Sequence, residues 1–412
     1  MADVVIPKKS TPIDRALKVR LDAWIALATA SLVIAGFMVV YSSSFDLAFQ
    51  AHNDPFYYLR TQVIAGLLGL AGIVAIMQMD YHHLRKLSIP ILGLTVALLI
   101  LVLVVGEESF GAQRNINLFG VSIQPSEIAK LTMILYTAHW LSSKGDRVKS
   151  FTFGLAPFAV MVGVVGFLVA QQPHLSAAAL IAAVCFTLFF LAGADWRHFA
   201  LALALAIGVF ILMIFAWPHA TFRLETWRQT LLDPNNAPYQ IRLAVILLGS
   251  GGLWGRGMGA GVNKYLLPAA HTDGVFAVWG EEVGFVGSLF VLGMFALLAW
   301  RGIMAARQAR STYGYLLALG ITVWFSYQAL MNIAVITSTI PFTGMPIPFM
   351  SYGGSSLTVS LLGAGVLLNV SRDSAIGKTL REPDVTLGAL REDTDLRRRN
   401  GRPHLSRPGR RH

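Results

Sequence analysis

Long apolar runs, each closed by a short polar turn, fill most of the chain up to residue 371. Ten runs, at 23–43, 60–78, 87–105, 123–142, 152–170, 174–193, 197–217, 275–299, 315–338 and 348–371, approach the length of a spanning segment. A helix needs roughly 20 apolar residues to cross the hydrocarbon of a bilayer. The pattern therefore predicts an all-α integral membrane protein with about ten transmembrane helices. The first run ends in Tyr41-Ser42-Ser43-Ser44 without a small-x-small cleavage site, so it reads as a retained helix rather than a signal peptide. Most connections are short, but Pro218 to Asp273, between the seventh and eighth runs, is a long loop of the kind that usually carries function. Its middle, Ile241 to Leu253, is apolar yet too short to span, which predicts a re-entrant or interfacial helix. Neither a 20–50-residue repeat nor the inverted repeat common in transporters is visible.

Charge sets the orientation. Lys8, Lys9, Arg15, Lys18 and Arg20, then Arg85 and Lys86, then Lys144, Arg147 and Lys149, then Arg197, then Arg301, Arg307 and Arg310 fall at alternate helix ends. The positive-inside rule puts these ends, and with them both termini, in the cytoplasm, which leaves the long loop between helices 7 and 8 outside. Composition agrees with a lipid environment: 55% of residues are hydrophobic, 13% are charged and mean hydropathy is +0.60. The net charge of +11 follows from the cytoplasmic flanks and an Arg-rich tail, and points to anionic lipid rather than nucleic acid. Three parts are expected: a cytoplasmic segment 1–22, a polytopic membrane domain 23–371, and a basic tail 372–412 that is too polar to order itself. The single Cys185 lies inside an apolar run and reads as packing.

Ionisable residues are costly at bilayer depth and usually face a cavity, a partner or a substrate. They gather in Lys264 to Glu282, KYLLPAAHTDGVFAVWGEE. Asp273 is the candidate general base: a carboxylate in a partly dry site can take a proton from a sugar hydroxyl. The same residue suits a helix N-cap, and a metal site shared with His271 is a further reading. Glu281 and Glu282 need a basic partner, for which Lys130 and Arg114 are candidates. The glycines from Gly249 to Gly261 either cradle a diphosphate with backbone amides or turn a loop against helices, and they lack the ending of a nucleotide P-loop. Thr343 to Ser356, TGMPIPFMSYGGSS, opens the last run with Ser351, Tyr352, Gly353, Gly354 and Ser355, small residues for close packing or a substrate groove.

Five segments, in order along the membrane domain, make the chain resemble the SEDS family (shape, elongation, division and sporulation), which includes FtsW and RodA. They are GAQRNINLFGVSIQPSEIAKL from Gly111, QPHLSA from Gln172, GSGGLWGRGMG from Gly249, LPAAHTD…GEEVGFVG from Leu267, and TGMPIPFMSYGGSS. The resemblance implies a peptidoglycan glycosyltransferase in the bacterial cytoplasmic membrane that polymerises lipid II at the outer face by an inverting reaction. It maps the family's essential loop aspartate onto Asp273, and Arg114 or Lys264 is the candidate to hold the leaving diphosphate. Lys130, His271 and Glu281 join the groove residues above as expected substrate contacts. No cofactor is implied with certainty, and a divalent cation stays open. The implied partners are lipid II, a class B penicillin-binding protein and other division or elongation membrane proteins. The chain departs from common family residues at His174, Ser176, Ala269, Gly274 and Asn115. Gly280-Glu281-Glu282 leans towards the division branch. A RodA-like elongation polymerase, a lipid II flippase, a non-catalytic division scaffold and a related lipid-linked sugar ligase are the rival readings.

Overall fold

The computed structural model describes residues 21–109, 112–118, 121–233 and 237–381. The described helices are α1 (Ala23–His52), α2 (Tyr57–Gln78), α3 (His82–Val105), α4 (Pro125–Lys144), α5 (Ala156–Ala170) and α6 (Leu175–Leu191). They continue with α7 (Trp196–Ala216), α8 (Pro218–Leu232), α9 (Tyr239–Ser250), α10 (Val275–Gln308), α11 (Thr312–Ile336) and α12 (Gly354–Arg381). Between α3 and α4 lies a departure from all-helix: an antiparallel sheet of β1 (Glu107–Ser109), β2 (Ala112–Leu118) and β3 (Val121–Ile123).

Among the described residues, eight helical segments are long and apolar enough to cross a membrane: α1, α2, α3, Phe151–Ala170 (which ends in α5), α7, α10, α11 and Gly354–Asp373. The other two predicted runs are α4, whose sequence includes Glu127 and Lys130, and α6, which has 17 residues. Three helices, α1, α10 (which continues to Gln308) and α12, outrun their predicted ends by about two turns or more. The serines at 42–44 do not stop α1, because the hydroxyls of Ser43 and Ser44 return to the Val39 and Val40 carbonyls and satisfy themselves within the helix. α1 stops instead at Asn53, in the left-handed conformation that short polar side chains tolerate. At the other end, α12 starts only at Gly354 and runs past residue 371 to Arg381. Residues 1–20 and 382–412, most of the two terminal segments, lie outside the described residues.

α11 and α12 form the centre, with 61% and 72% of their spanning windows buried by protein, whereas α7 at 6% is peripheral. α2 lies close along α12 because Gly69 and Gly72 leave no side chain in the way: a Cβ there would come within 2.5 Å of Leu361 and 2.3 Å of Leu362. α4 and α11 are tied by Lys130, whose ammonium meets Glu127 at 2.7 Å and Gln328 at 2.9 Å and lies 5.6 Å from the Trp324 ring centroid.

α10 is broken at Gly284, at φ 75 and ψ −165. The break leaves helix carbonyls and amides without their own partners. The glycine-rich loop supplies them: Arg256 and Gly257 amides donate to the Glu281 and Glu282 carbonyls, while Phe285 and Val286 amides donate to Gly252 and Leu253. Such close backbone contact requires glycine. A Cβ on Gly251 would lie 1.9 Å from the Gly280 carbonyl oxygen, and one on Gly255 (φ +79) would lie 2.2 Å from that of Glu282.

Candidate functional site

Asp273 is half-buried at the mouth of α10. It is not the helix cap, which is Gly274 without a side-chain bond, so its carboxylate is free of that role. Oδ1 accepts from Thr272 Oγ1 at 2.8 Å, and the backbone carbonyl accepts from Asn332 Nδ2 at 3.0 Å. Burial pushes the carboxyl above the usual carboxylate range, against the opposing pull of the Thr272 hydroxyl, its own backbone amide, Arg223 and Arg114. Neither arginine forms an ion pair with it. Two guanidinium groups thus act on Asp273 through space without an ion pair to it.

The two arginines come from separate elements. In the sheet, Glu107 pairs with Asn115 and Glu108 with Gln113, so Arg114 is the extra residue of a β-bulge, a device that re-aims a side chain. Its Nε and Nη2 donate to the Gln172 and Pro173 carbonyls at 3.3 and 3.0 Å. Burial and then the charge of Arg223 lower its pKa, and Asp273 raises it, so the three groups feel one another. Arg223 sits on α8 with its guanidinium 5.8 Å from the Phe342 ring centroid. Trp227 Nε1 anchors α8 by donating to the Ser338 carbonyl at 3.0 Å. His174 is buried beside Ser126, 3.3 Å away, and burial together with Arg114, Lys130 and Arg223 drives its pKa down to about 3. A neutral imidazole in that place leaves the arginines without a carboxylate from the QPHLSA segment.

The segment before α12 closes the site. Gly344 (φ +64) turns its bare Cα towards Asp273, and a Cβ there would lie 3.5 Å from Oδ2. Asn332 Nδ2 also donates to the Met345 carbonyl at 2.7 Å, so one side chain spans Asp273 and this segment. The Tyr352 amide donates to the His271 carbonyl at 2.8 Å. His271 packs its ring 5.0 Å from Tyr58 and 5.4 Å from Tyr352, and burial takes its pKa down to about 4, leaving it uncharged near neutrality. Among the described residues no three His, Cys, Asp or Glu side chains gather as metal ligands.

The structure thus puts Arg114 within electrostatic reach of Asp273 and packs Tyr352 on the neighbouring His271, and holds the other sequence candidates in internal contacts. Ser351 Oγ accepts from the Ile347 amide at 2.9 Å, Gly353 N donates to Gln62 Oε1 at 3.1 Å, and Gly354 opens α12. Ser355 Oγ donates to the Ser122 carbonyl at 2.9 Å and accepts from the Gln124 amide at 3.1 Å, fastening the sheet to α12. The expected pairing of Glu281 or Glu282 with Lys130 or Arg114 does not form. Glu282 meets Lys264 at 2.7 Å, and that ammonium also reaches Ser42 Oγ at 2.6 Å and the Gly259 carbonyl at 2.9 Å. Glu281 Oε1 accepts from the Val262 and Asn263 amides and the Asn263 side chain. Lys130 is enclosed by Glu127, Gln328 and Trp324. The glycine loop binds α10 with the amides of Arg256 and Gly257, which removes them from any phosphate cradle.

Arg223 and Asn332 escaped the sequence reading. Arg223 stands in FRLETWRQ, where alternating charges look like a solvated helix face, and Asn332 is one polar residue in an apolar span. An intramembrane amide was the available signal for Asn332. For Arg223 it was the length of the loop.

Residues 23–376 match the profile of the cell cycle protein family of FtsW, RodA and SpoVE. The chain is 37% identical over 356 residues to a probable peptidoglycan glycosyltransferase FtsW of Trichlorobacter lovleyi, covering 85% of this chain and 93% of that one. It is 35% identical to stage V sporulation protein E of Bacillus subtilis, over 86% and 97% of the two chains. Among solved structures, it superposes on rod shape determining protein RodA of Thermus thermophilus with TM-score 0.65 and 30% identity, over 87% and 98% of the chains. A chain of a peptidoglycan synthase complex that coordinates polymerization and crosslinking gives TM-score 0.71 at 29% identity, over 86% and 99%.

Proposed function

Because the chain belongs to the FtsW, RodA and SpoVE family of cell cycle proteins, we propose that it is a membrane-embedded peptidoglycan glycosyltransferase polymerising lipid II. The observation that carries the mechanism is Asp273, a half-buried carboxyl raised by burial and flanked by two guanidinium groups that do not pair with it. A raised carboxyl is a stronger base once ionised, and unpaired guanidinium groups suit a diphosphate.

In the reaction, Asp273 takes the proton of the acceptor GlcNAc 4-hydroxyl. The oxygen forms a bond to C1 of the donor MurNAc as the bond from C1 to the phosphate oxygen breaks. Undecaprenyl diphosphate leaves with that electron pair, and C1 inverts from α to β. Arg114 and Arg223 stabilise the charge on the leaving diphosphate. The basic flanks support an outer-face site in the cytoplasmic membrane with both termini inside. A class B penicillin-binding protein is the partner that crosslinks the product, in keeping with the synthase complex among the structural neighbours. The Gly280-Glu281-Glu282 signature favours the division role over elongation.

The test is polymerisation of purified lipid II by wild type and Asp273→Asn, each with a class B partner that only crosslinks. Loss of a general base is expected to lower the rate roughly 10²–10⁴-fold. Equal polymer from a folded Asp273→Asn protein removes the base role, and no polymer from wild type removes the transferase reading in favour of a flippase or scaffold.

A further inference from the structure

We propose that a shelf of contacting aromatic rings beside Asp273 binds the sugar rings of the growing glycan strand. This rests on the transferase reading above, and adds to it a site for the polymer rather than for the lipid-linked donor.

The shelf is built where α1 turns into α2. The left-handed Asn53 ends α1 and brings His52 back over Tyr57, with ring centroids 3.7 Å apart and planes at 17°. Tyr58 stands edge-on to Tyr57 at 5.3 Å and 88°. It then meets His271 at 5.0 Å and, edge-on, Tyr352 at 5.1 Å. The five rings lead from exposed positions, His52 and Tyr57, to the half-buried His271, two residues from Asp273. The hydrogen bond from the Tyr352 amide to the His271 carbonyl fixes the inner end of the shelf to the segment that carries the base.

The chemistry of the shelf matches a saccharide. A pyranose presents C–H groups on its faces, which pack on aromatic faces, and hydroxyls at its edge, which need polar neighbours. The pair of exposed Arg60 and half-buried Asp54, 2.9 Å apart, supplies such neighbours next to Tyr57. An anion has less to gain here: the imidazole of His271 is neutral, and Arg60 is already paired. An interfacial belt accounts for tyrosines at headgroup depth but not for a series of rings in contact. Here the rings touch in series, stacked at His52–Tyr57 and edge-on or tilted beyond it, and the series ends at His271, two residues from Asp273. Stacking reads no particular linkage position, so a strand can slip along it after every addition.

The experiment is the length distribution of glycan made from purified lipid II, read on gels, for wild type, Tyr57→Ala, Tyr57→Phe and His52→Ala. Melting temperature in detergent is measured alongside. Early release of the strand from Tyr57→Ala is expected to shorten the mean product at least about threefold. His52→Ala, at the exposed outer end, should shorten it in the same direction, and Tyr57→Phe, which keeps the ring, should restore it. Wild-type lengths from Tyr57→Ala overturn the shelf, as do Phe products as short as the Ala products, because then the hydroxyl and not the ring face acts. A wild type that makes no polymer refutes the transferase reading instead, so the two failures are distinguishable.

Discussion

Lys264→Met tests whether the lysine of the Lys264–Glu282 pair is structural or touches substrate. The side chains are 1% and 0% exposed and the charges 2.7 Å apart. The ammonium has two further acceptors, Ser42 Oγ and the Gly259 carbonyl, so its hydrogen-bonding capacity is filled from within the protein. Methionine keeps the stem and removes the charge, which leaves Glu282 buried with only the Ser42 hydroxyl as a donor. Removing one partner of a buried pair costs about 3–5 kcal/mol, because the remaining charge is uncompensated. Glu282→Gln added to Lys264→Met removes that charge as well, and the double variant should recover at least ~2 kcal/mol of the loss. Unfolding in mixed micelles with rising SDS, followed by tryptophan fluorescence, measures both. Polymerisation by the folded double variant then separates the two roles, since a structural lysine is dispensable once its partner is neutral. A Lys264→Met protein within about 1 kcal/mol of wild type, or a double variant no more stable than the single, refutes the reasoning.

Three further outcomes follow from the geometry. Gly255→Ala places a methyl group 2.2 Å from the Glu282 carbonyl oxygen at a positive φ, and is expected to cost at least ~2 kcal/mol in the same unfolding assay. Arg223→Gln removes a charge that lowers the Asp273 pKa, so the acid limb of the pH–rate profile should move to higher pH while KM for lipid II rises. Asn332→Ala strips a donor from the Asp273 and Met345 carbonyls, and kcat should fall with a stability loss of ~1–3 kcal/mol in SDS titration.

Hydrophobic runs made the helices legible, because a lipid-facing helix must be apolar along its length. Their ends were less so. Ser42 to Ser44 looked like a stop, yet two of these hydroxyls bond back along the helix and Ser42 faces Lys264. Asp273 was legible as an acid at a helix mouth. Its electrostatic neighbours were not, since Arg114, Arg223 and Asp273 meet only when β2, α8 and the start of α10 fold together. The sheet itself left no apolar signature, being short and polar. The glycine loop illustrates a harder case. Glycine density is compatible with a phosphate cradle or a close backbone contact, and only the break at Gly284 shows which carbonyls the loop serves.

The balance at Asp273 has a kinetic consequence. Burial raises its pKa, and the two guanidinium groups hold it down. If the donor diphosphate sits on Arg114 and Arg223, its negative charge offsets theirs, and the pull on Asp273 weakens when substrate binds. The bound enzyme then has a higher Asp273 pKa than the free enzyme, and its base is protonated more readily as pH falls. The profile of kcat/KM reports the free enzyme, and that of kcat the complex. The acid limb of kcat should therefore lie at higher pH than that of kcat/KM, with both above the ordinary carboxylate range. In Arg223→Gln less positive charge remains to be offset, so the gap between the limbs should narrow as the kcat/KM limb moves up. Coincident limbs in the wild type would place the diphosphate away from these arginines, while leaving Asp273 free to act as the base.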